Sequence, residues 1–251
     1  MRQLTTYAQD SDQVRALLEK LVDKQTSEKE YAASFYELGK ALMTVLFQKV
    51  SLANSKVMLA CSSEDADWLS KGILDTLLEN HVETKLAVFW NSRVNLNRDP
   101  ELAIAPIIRS YIEPADRVDY FIICKSIISS SCVVRTNITY LNEKIHPEKI
   151  FVLSPVLFEK AISNLKSEFP VKMGKKFEFI YFAEDSEINE SQEVIPGIGG
   201  SVYKRLGLED AFKKNKYTPS IVRERRSTST SDAALKSHSE RSSPPSSPSH
   251  R

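Results

Sequence analysis

The sequence has few glycines, few cysteines and no excess of charge of either sign. Its 251 residues include seven glycines and three cysteines, and 34 basic residues balance 33 acidic ones to a formal net charge of +1. Proteins that bind nucleic acid usually carry a clear basic excess, so we expect no nucleic acid partner. Three cysteines without zinc-type spacing argue against a disulfide framework and a metal site, and they favour a reducing compartment.

Long apolar runs are also missing. No segment reaches the roughly 18 apolar residues that a membrane-spanning helix needs. The start of the chain carries Arg2, Asp10 and Asp12, which is not typical of a secretory signal. We therefore expect no membrane partner and a cytoplasmic location, with a nuclear location left open.

The chain does contain a regular alternation of apolar runs and amphipathic segments. Helical spacing of apolar residues, with a capping box at Ser27 and Glu30, predicts N-terminal helices within residues 10–50. Continuous apolar strands that alternate with helices are typical of a mostly parallel sheet covered on both faces, so the predicted fold class is α/β. The five predicted strands lie at 57–61, 85–90, 118–124, 149–154 and 176–182.

The composition changes near residue 213, where Ser, Pro and Arg begin to replace apolar residues. We therefore predict one domain over residues 1–212 and a disordered tail over 213–251, because such a segment buries too little surface to offset its ordering entropy. Serines follow arginines directly at 223–231, which suggests phosphorylation of the tail. A passive linker is the alternative.

Two loops are candidates for ligand binding. The segment IPGIGGSVYKRLG at 195–207 holds four of the seven glycines, and glycine lets backbone amides approach a ligand closely. The serine loop, CKSIISSSC at 124–132, joins a predicted strand to a predicted helix, where hydroxyls, free amides and the helix dipole can hold an anion. A tight turn closing the sheet and an ordinary serine-rich helix start are the respective alternatives. The serine loop has no glycine, so a very tight phosphate nest there would be strained.

At these residues the sequence resembles the uracil phosphoribosyltransferase family, which has the type I phosphoribosyltransferase fold. In that family the loop that corresponds to the serine loop holds the ribose and 5′-phosphate of phosphoribosyl pyrophosphate. The segment that corresponds to the glycine-rich segment binds uracil. The resemblance covers residues 10–210. Other segments match in the same order: EKLVDKQTSEKEYAASFYELGKAL at 19–42, FWNSR at 89–93, SPVLFEKAISNLKSEFP at 154–170 and FAEDSEIN at 182–189.

The resemblance implies two sets of binding residues, and it assigns no catalytic residue. The phosphoribosyl or phosphate group would be bound by Ser126, Ser129, Ser130, Ser131, Cys132 and Arg93. The base would be bound by Ile195, Pro196, Gly197, Ile198, Gly199 and Gly200.

The departures from the family fall mostly on the chemistry. The acidic residue that holds the ribose hydroxyls in the family corresponds to Cys124. The family's pyrophosphate loop corresponds to SSEDAD at 62–67, here called the acidic loop, which has no arginine and carries three acids that would repel pyrophosphate. The aspartates of the uracil loop correspond to Gly200 and Tyr203, and Arg93 is not followed by aspartate.

These losses predict a catalytically degenerate protein, a pseudoenzyme of the uracil phosphoribosyltransferase type. Removing one fixed transition-state donor typically costs about 3–4 kcal/mol, so several losses would abolish most of an enzymatic acceleration. Such a protein would bind uracil, UMP or phosphoribosyl pyrophosphate as a base- or nucleotide-sensing module. The resemblance implies a homodimer or a hetero-oligomer with an active relative.

Two alternatives stay open. One is an active enzyme of pyrimidine salvage, a glycosyltransferase that makes UMP from uracil and phosphoribosyl pyrophosphate with Mg²⁺. The other is a structural module for protein interaction that binds no small ligand. Only the active-enzyme alternative implies a cofactor, which is Mg²⁺.

Overall fold

A mostly parallel β-sheet forms the centre of the computed structural model, which describes residues 1–92, 94–95, 103–190 and 193–228. Arg93 and residues 229–251 of the predicted tail lie outside these ranges. The strands are β1 (Arg2–Leu4), β2 (Lys56–Ser62), β3 (Glu83–Asn91), β4 (Val94–Asn95), β5 (Ala103–Ile104), β6 (Ile107–Ile112), β7 (Tyr120–Cys124), β8 (Ile127–Ile128), β9 (Lys149–Phe158), β10 (Phe177–Asp185), β11 (Glu187–Ile188) and β12 (Val194–Ile195).

The helices lie between these strands and after them. They are α1 (Thr6–Asp10), α2 (Asp12–Val22), α3 (Glu28–Lys49), α4 (Lys71–Glu79), α5 (Cys132–Asn142), α6 (Ala161–Ser167), α7 (Val171–Gly174), α8 (Val202–Arg205), α9 (Ala211–Lys216) and α10 (220–228). A π-helical turn, Ala66–Ser70, leads into α4.

The main sheet has the strand order β1–β10–β9–β7–β2–β3–β6, and the short β8 also pairs with β9. Neighbouring strands from β10 to β3 run parallel. The outer strands β1 and β6 run antiparallel to their neighbours. All five predicted strands are present in this parallel part, so the predicted α/β fold class is confirmed.

Helices cover both faces of the sheet. Side chains of α2, α3 and α4 pack with Val57, Leu59 and Cys61 of β2, while α5 and α6 pack with Met58 and Ala60 of the same strand. This alternation follows from the period of two along a strand. Burying each large aliphatic or aromatic side chain contributes about 1.5–3 kcal/mol, so these two clusters hold the three layers together.

The N-terminal helices form where the sequence predicts them. Ser27 and Glu30 make the predicted capping box at the start of α3, which satisfies amides that the first turn leaves free. None of the helices in the described ranges is both long and apolar enough to cross a membrane.

Ordered structure continues beyond the boundary predicted at residue 212. Helix α9 crosses that boundary, and α10 follows it. Ile221 and Val222 belong to the core cluster on the α3 side of the sheet. Residues 213–228 are therefore part of the folded unit, because two apolar side chains in an otherwise polar stretch anchor it to the core.

Candidate ligand-binding site

The serine loop and the glycine-rich segment meet at one cavity of ≈ 250 Å³ at the carboxyl end of the parallel strands. Ligands of open α/β sheets bind at this end. The apolar wall consists of Ile127, Ile128, Val133, Val134, Val194, Ile198 and Val202. The rest of the lining comes from Glu64, Asn91, Lys125, Ser129, Ser130, Ser131, Cys132, Glu193, Gly200, Ser201, Tyr203 and Lys214.

The serine loop turns sharply into α5 beside the cavity. Ser131 has a φ of 61°, a left-handed conformation that costs a non-glycine residue about 1–2 kcal/mol. Its hydroxyl donates to the carbonyl of Ala161 at 3.2 Å, and Ser130 contacts the Cys132 sulfur at 3.5 Å. Ser131 makes no capping hydrogen bond to α5 within the described chain, so amides of the first turn can face an anion in the cavity.

Ser126 does not line the cavity. Its side chain is buried, its backbone amide donates to Asp65 Oδ1 at 3.3 Å, and its hydroxyl accepts from Lys125 Nζ at 3.3 Å. Of the predicted phosphate-binding residues, those that line the cavity are Ser129, Ser130, Ser131 and Cys132. Arg93, the last member of that set, lies outside the described residues.

The glycine-rich loop, residues 195–200, contributes Ile198 and Gly200 to the cavity. The predicted base-binding residues Ile195, Pro196, Gly197 and Gly199 do not line the cavity, and the Ile195–Pro196 peptide bond is cis. Gly199 has a φ of +74°, and a Cβ there would come within 2.3 Å of the Leu21 carbonyl oxygen. Glycine is therefore required where this loop packs on α2.

Most backbone groups of the glycine-rich loop already have partners inside the protein. The carbonyls of Gly197, Ile198 and Gly199 accept hydrogen bonds from side chains of the N-terminal region, at 2.5, 2.8 and 2.9 Å. The Gly197 amide donates to the buried carboxylate of Asp185 at 2.9 Å. The donors to the three carbonyls are, in order, Arg2, Tyr31 and Lys24.

A buried charge cluster forms the floor of the cavity; it comprises Glu64, Asp65, Lys125 and Lys214. Lys125 Nζ donates to Asp65 Oδ2 at 2.6 Å and to Glu64 Oε1 at 3.3 Å. Lys214 Nζ donates to the Asn91 carbonyl at 2.8 Å and lies 4.0 Å from Glu64 Oε2. The two acids and two ammonium groups balance, so the acidic loop is neutralised from within.

The pKa values of this cluster follow from competition between burial and ion pairing. Burial alone would raise the pKa of Glu64, but Lys125 and Lys214 bring it well below its ordinary value. Burial alone would lower the pKa of Lys125, but Asp65 and Glu64 raise it. Both groups therefore stay charged near neutral pH, and neither is poised to transfer a proton.

Cys124, at the position that corresponds to the ribose-binding acid, is buried in the core. It lies directly across from Cys61 on the neighbouring strand. Burial and the Cys124 thiol raise the pKa of Cys61. Neither thiol lines the cavity, so this position provides no group that a ligand in the cavity could contact.

A magnesium ion, implied only by the active-enzyme alternative, does not suit the donor set at the cavity floor. Mg²⁺ is usually held by carboxylates together with substrate phosphates. Here both Glu64 and Asp65 already share Lys125. Within the described ranges no cluster of three potential metal ligands occurs.

Sequence reasoning missed several cavity residues. Asn91 bonds Asn137 of α5 through both amide groups, at 2.9 and 3.2 Å, and Lys214 comes from the predicted tail. Of these residues, Lys125 could have been predicted from the sequence, because a lysine directly after a buried strand needs an acidic partner nearby. The contribution of Lys214 depends on the path of the chain after residue 210, which local patterns do not encode.

No family model matches the chain, and no curated protein matches it. Among solved structures, the AQ2163 protein from Aquifex aeolicus matches with a TM-score of 0.63 at 14% identity, over 78% of this chain and 95% of that one. A purine phosphoribosyltransferase from Pyrococcus horikoshii matches with a TM-score of 0.39 at 9% identity, over 62% and 90%. The hypoxanthine-guanine phosphoribosyltransferase of L. donovani has a TM-score of 0.37 at 10% identity, over 66% and 85%. The likeness to the Aquifex aeolicus protein shows a shared fold. The TM-scores of the two phosphoribosyltransferases are below 0.5 and support no conclusion about activity.

Proposed function

We propose that this chain is a catalytically degenerate protein of the phosphoribosyltransferase type that binds one small base- or nucleotide-like ligand and serves as a sensing or regulatory subunit. One observation carries the proposal. The carboxylates of the acidic loop, where the family would bind pyrophosphate, are held by the chain's own groups, while the cavity between the serine loop and the glycine-rich loop persists. The preference for a uracil-type base rests on the sequence resemblance alone.

The ribose subsite lacks its acid. In a transferase of this type a carboxylate would hold the ribose hydroxyls, and here the corresponding Cys124 points into the core. A buried thiol offers neither the charge nor the acceptor geometry of a carboxylate. This loss alone removes a fixed group that transition-state stabilisation requires.

At the expected diphosphate subsite, the polar groups of the acidic loop are already bound to other parts of the protein. The acidic loop directs Glu64 and Asp65 to Lys125, and Asp67 accepts backbone amides of Ser220 and Ile221 at 2.7 and 3.0 Å. A pyrophosphate at this loop would have to break these contacts and then face three carboxylates. The cost of breaking these internal contacts therefore opposes the binding of phosphoribosyl pyrophosphate.

The cavity is also small for a reaction between two substrates. Its volume of ≈ 250 Å³ lies below the range of about 300–1,000 Å³ that is common for ligand pockets. A single base or nucleoside monophosphate is the appropriate size. A base together with phosphoribosyl pyrophosphate is larger.

The remaining surface is suited to a ligand with an apolar ring and one anionic group. Ile127, Ile198 and Val202 supply apolar walls, while the serine loop and the first turn of α5 supply donors. A helix N-terminus favours negative charge by about 0.3–1 kcal/mol. UMP combines these two features, and uracil has only the first.

Thermal unfolding in the presence of uracil, UMP or phosphoribosyl pyrophosphate, each with and without Mg²⁺, tests the proposal. A ligand that binds only the folded state raises the melting temperature in proportion to its saturation. We expect UMP to do so without any requirement for Mg²⁺. The absence of a shift with all three compounds would contradict the proposal and favour a purely structural role.

A matched pair of variants assigns the shift to this cavity. Val133→Phe fills the cavity from the first turn of α5, and we expect it to abolish the shift caused by UMP. Val171→Phe makes the same chemical change at a residue that is 77% exposed, and it should leave the shift intact. Equal shifts in both variants would place the ligand elsewhere.

A further inference from the structure

The C-terminal strap, residues 211–228, crosses from the cavity floor to the edge of the sheet. It comprises α9, a short connection and α10, and it follows the part of the chain that resembles a transferase, residues 10–210. Its Lys214 lines the cavity. The strap is thus an addition to the resembling part of the chain, and it contributes directly to the ligand site.

One carboxylate of the acidic loop holds the strap in place. Asp67 accepts the amides of Ser220 and Ile221 at the start of α10 and also the hydroxyl of Tyr217. Trp90 Nε1 donates to the Tyr217 carbonyl at 2.7 Å. Because one acid satisfies two backbone donors and a hydroxyl, its loss would release the connection between α9 and α10.

Lys214 is the less compensated cation of the buried charge cluster. It is 7% exposed, its ammonium donates to the Asn91 carbonyl, and the carboxylate that pairs with it among the described residues, that of Glu64, is 4.0 Å away. Lys125, by contrast, donates to two carboxylates. An ammonium has three donors, so Lys214 retains capacity for an anionic ligand group beside the cavity.

We propose that Lys214 is the anion-selecting group of the cavity and that docking of the C-terminal strap controls ligand affinity by delivering it. This inference deepens the proposed function and rests on it. A ligand anion at Lys214 would pair with the ammonium and favour the docked strap, while an undocked strap would leave the cavity floor with Lys125 shared between Glu64 and Asp65 and no ammonium for the ligand. Ligand binding and strap docking are then linked, as thermodynamic coupling requires.

Lys214→Met and Lys213→Met form a matched pair of variants in adjacent positions. Lys213 pairs with Glu209 on the surface, where its side chain is 53% exposed. By calorimetry we expect Lys214→Met to weaken UMP binding about 10- to 100-fold, as expected for losing a charged hydrogen bond. Lys213→Met should bind UMP as the wild type does. Uracil, which carries no anionic group, should bind both variants equally.

Asp67→Asn tests the strap without changing a residue that lines the cavity. It should accelerate amide hydrogen exchange in residues 217–222 and weaken UMP binding by a factor comparable to that of Lys214→Met. Asp75→Asn is the control, because Asp75 pairs with Lys71 on α4. The Asp67→Asn variant also keeps the inference testable if Lys214→Met does not fold.

The outcomes separate this inference from the proposed function. If the wild type binds neither UMP nor uracil, the proposed function fails. If the wild type binds UMP and Lys214→Met binds it equally well, only the role of Lys214 is overturned. Faster amide exchange of the strap in Asp67→Asn with unchanged UMP affinity would show that docking of the strap does not control ligand affinity.

Discussion

The acidic loop and the serine loop follow neighbouring parallel strands at the same edge of the sheet, but their polar groups have different partners. Asp65 and Asp67 of the acidic loop are bound by Lys125 and by the C-terminal strap. The serine loop presents Ser129 and Ser130 to the cavity. One loop is thus occupied by contacts within the protein while the adjacent loop remains available to a ligand, as the proposed function requires.

Removing the central cation of the buried charge cluster should have the largest effect on stability. Lys125→Met removes the ammonium that the buried carboxylates of Glu64 and Asp65 share, and Lys214, 4.0 Å from Glu64, compensates this loss only in part. The change should lower the free energy of unfolding by about 3–5 kcal/mol. Lys149→Met is the control, because it breaks only the exposed pair with Glu178 and should cost less than about 1 kcal/mol. Denaturant unfolding measures both. Similar losses would mean that the acidic loop is not neutralised from within.

The glycine-rich loop can be perturbed independently of charge. In Gly199→Ala the new methyl group would meet the Leu21 carbonyl at 2.3 Å in a left-handed backbone, so we expect a loss of about 2 kcal/mol. At Gly174 a Cβ would meet its nearest neighbour at 3.6 Å. Gly174→Ala should therefore be neutral or stabilise by about 0.4–1 kcal/mol. Chemical denaturation of both variants compares them, and an unperturbed Gly199→Ala would contradict the tight packing on α2.

A smaller effect should follow from Tyr31→Phe, which removes the buried hydroxyl that donates to the Ile198 carbonyl. The unsatisfied carbonyl should cost about 1–3 kcal/mol, toward the lower end if water reaches it from the cavity. Tyr36→Phe, which removes a part-buried hydroxyl bond to Asp75, should cost less. Thermal unfolding monitored by circular dichroism compares the two variants. Equal losses would mean that the glycine-rich loop does not depend on this contact.

The smallest effect at neutral pH concerns protonation of the acidic loop. The pKa of Glu64 is lowered by Lys125 and Lys214 from its ordinary value of 4.5. The folded state therefore binds fewer protons than the unfolded state below about pH 5, and the stabilisation, fully present above this range, is lost as the pH falls through the lowered pKa. Melting temperatures between pH 7 and pH 3 should fall more steeply for the wild type than for Glu64→Gln. Parallel curves would contradict the charged state of Glu64.

Local sequence patterns were sufficient for the parallel part of the sheet but not for its edges. The strand at 118–124 is a nearly continuous apolar run, and such a run between helices has few other solutions. Strands β1 and β6 are short or half-exposed, so their apolar pattern is weak, and neither was predicted. The strand predicted at 149–154 continues to Phe158 as β9, and α6 begins after it at Ala161.

The candidate site was predictable where a motif is contiguous and not where distant segments meet. The pairing of the serine loop with the glycine-rich segment follows from their positions after parallel strands. By contrast, the acidic loop was expected to repel anions because its internal partners, Lys125 and Lys214, lie 60 or more residues away in sequence. The strap was assigned to the tail because its anchors, Ile221 and Val222, are isolated apolar residues in polar surroundings.

The central claim is that a ligand site persists where the transfer chemistry has been lost. The most direct measurement follows UMP formation from labelled uracil and phosphoribosyl pyrophosphate with Mg²⁺, on the same preparation whose UMP affinity is determined by calorimetry. We predict saturable binding of UMP and no product above the uncatalysed background. Sustained UMP synthesis that is lost in Ser129→Ala would contradict the account and identify a working transferase.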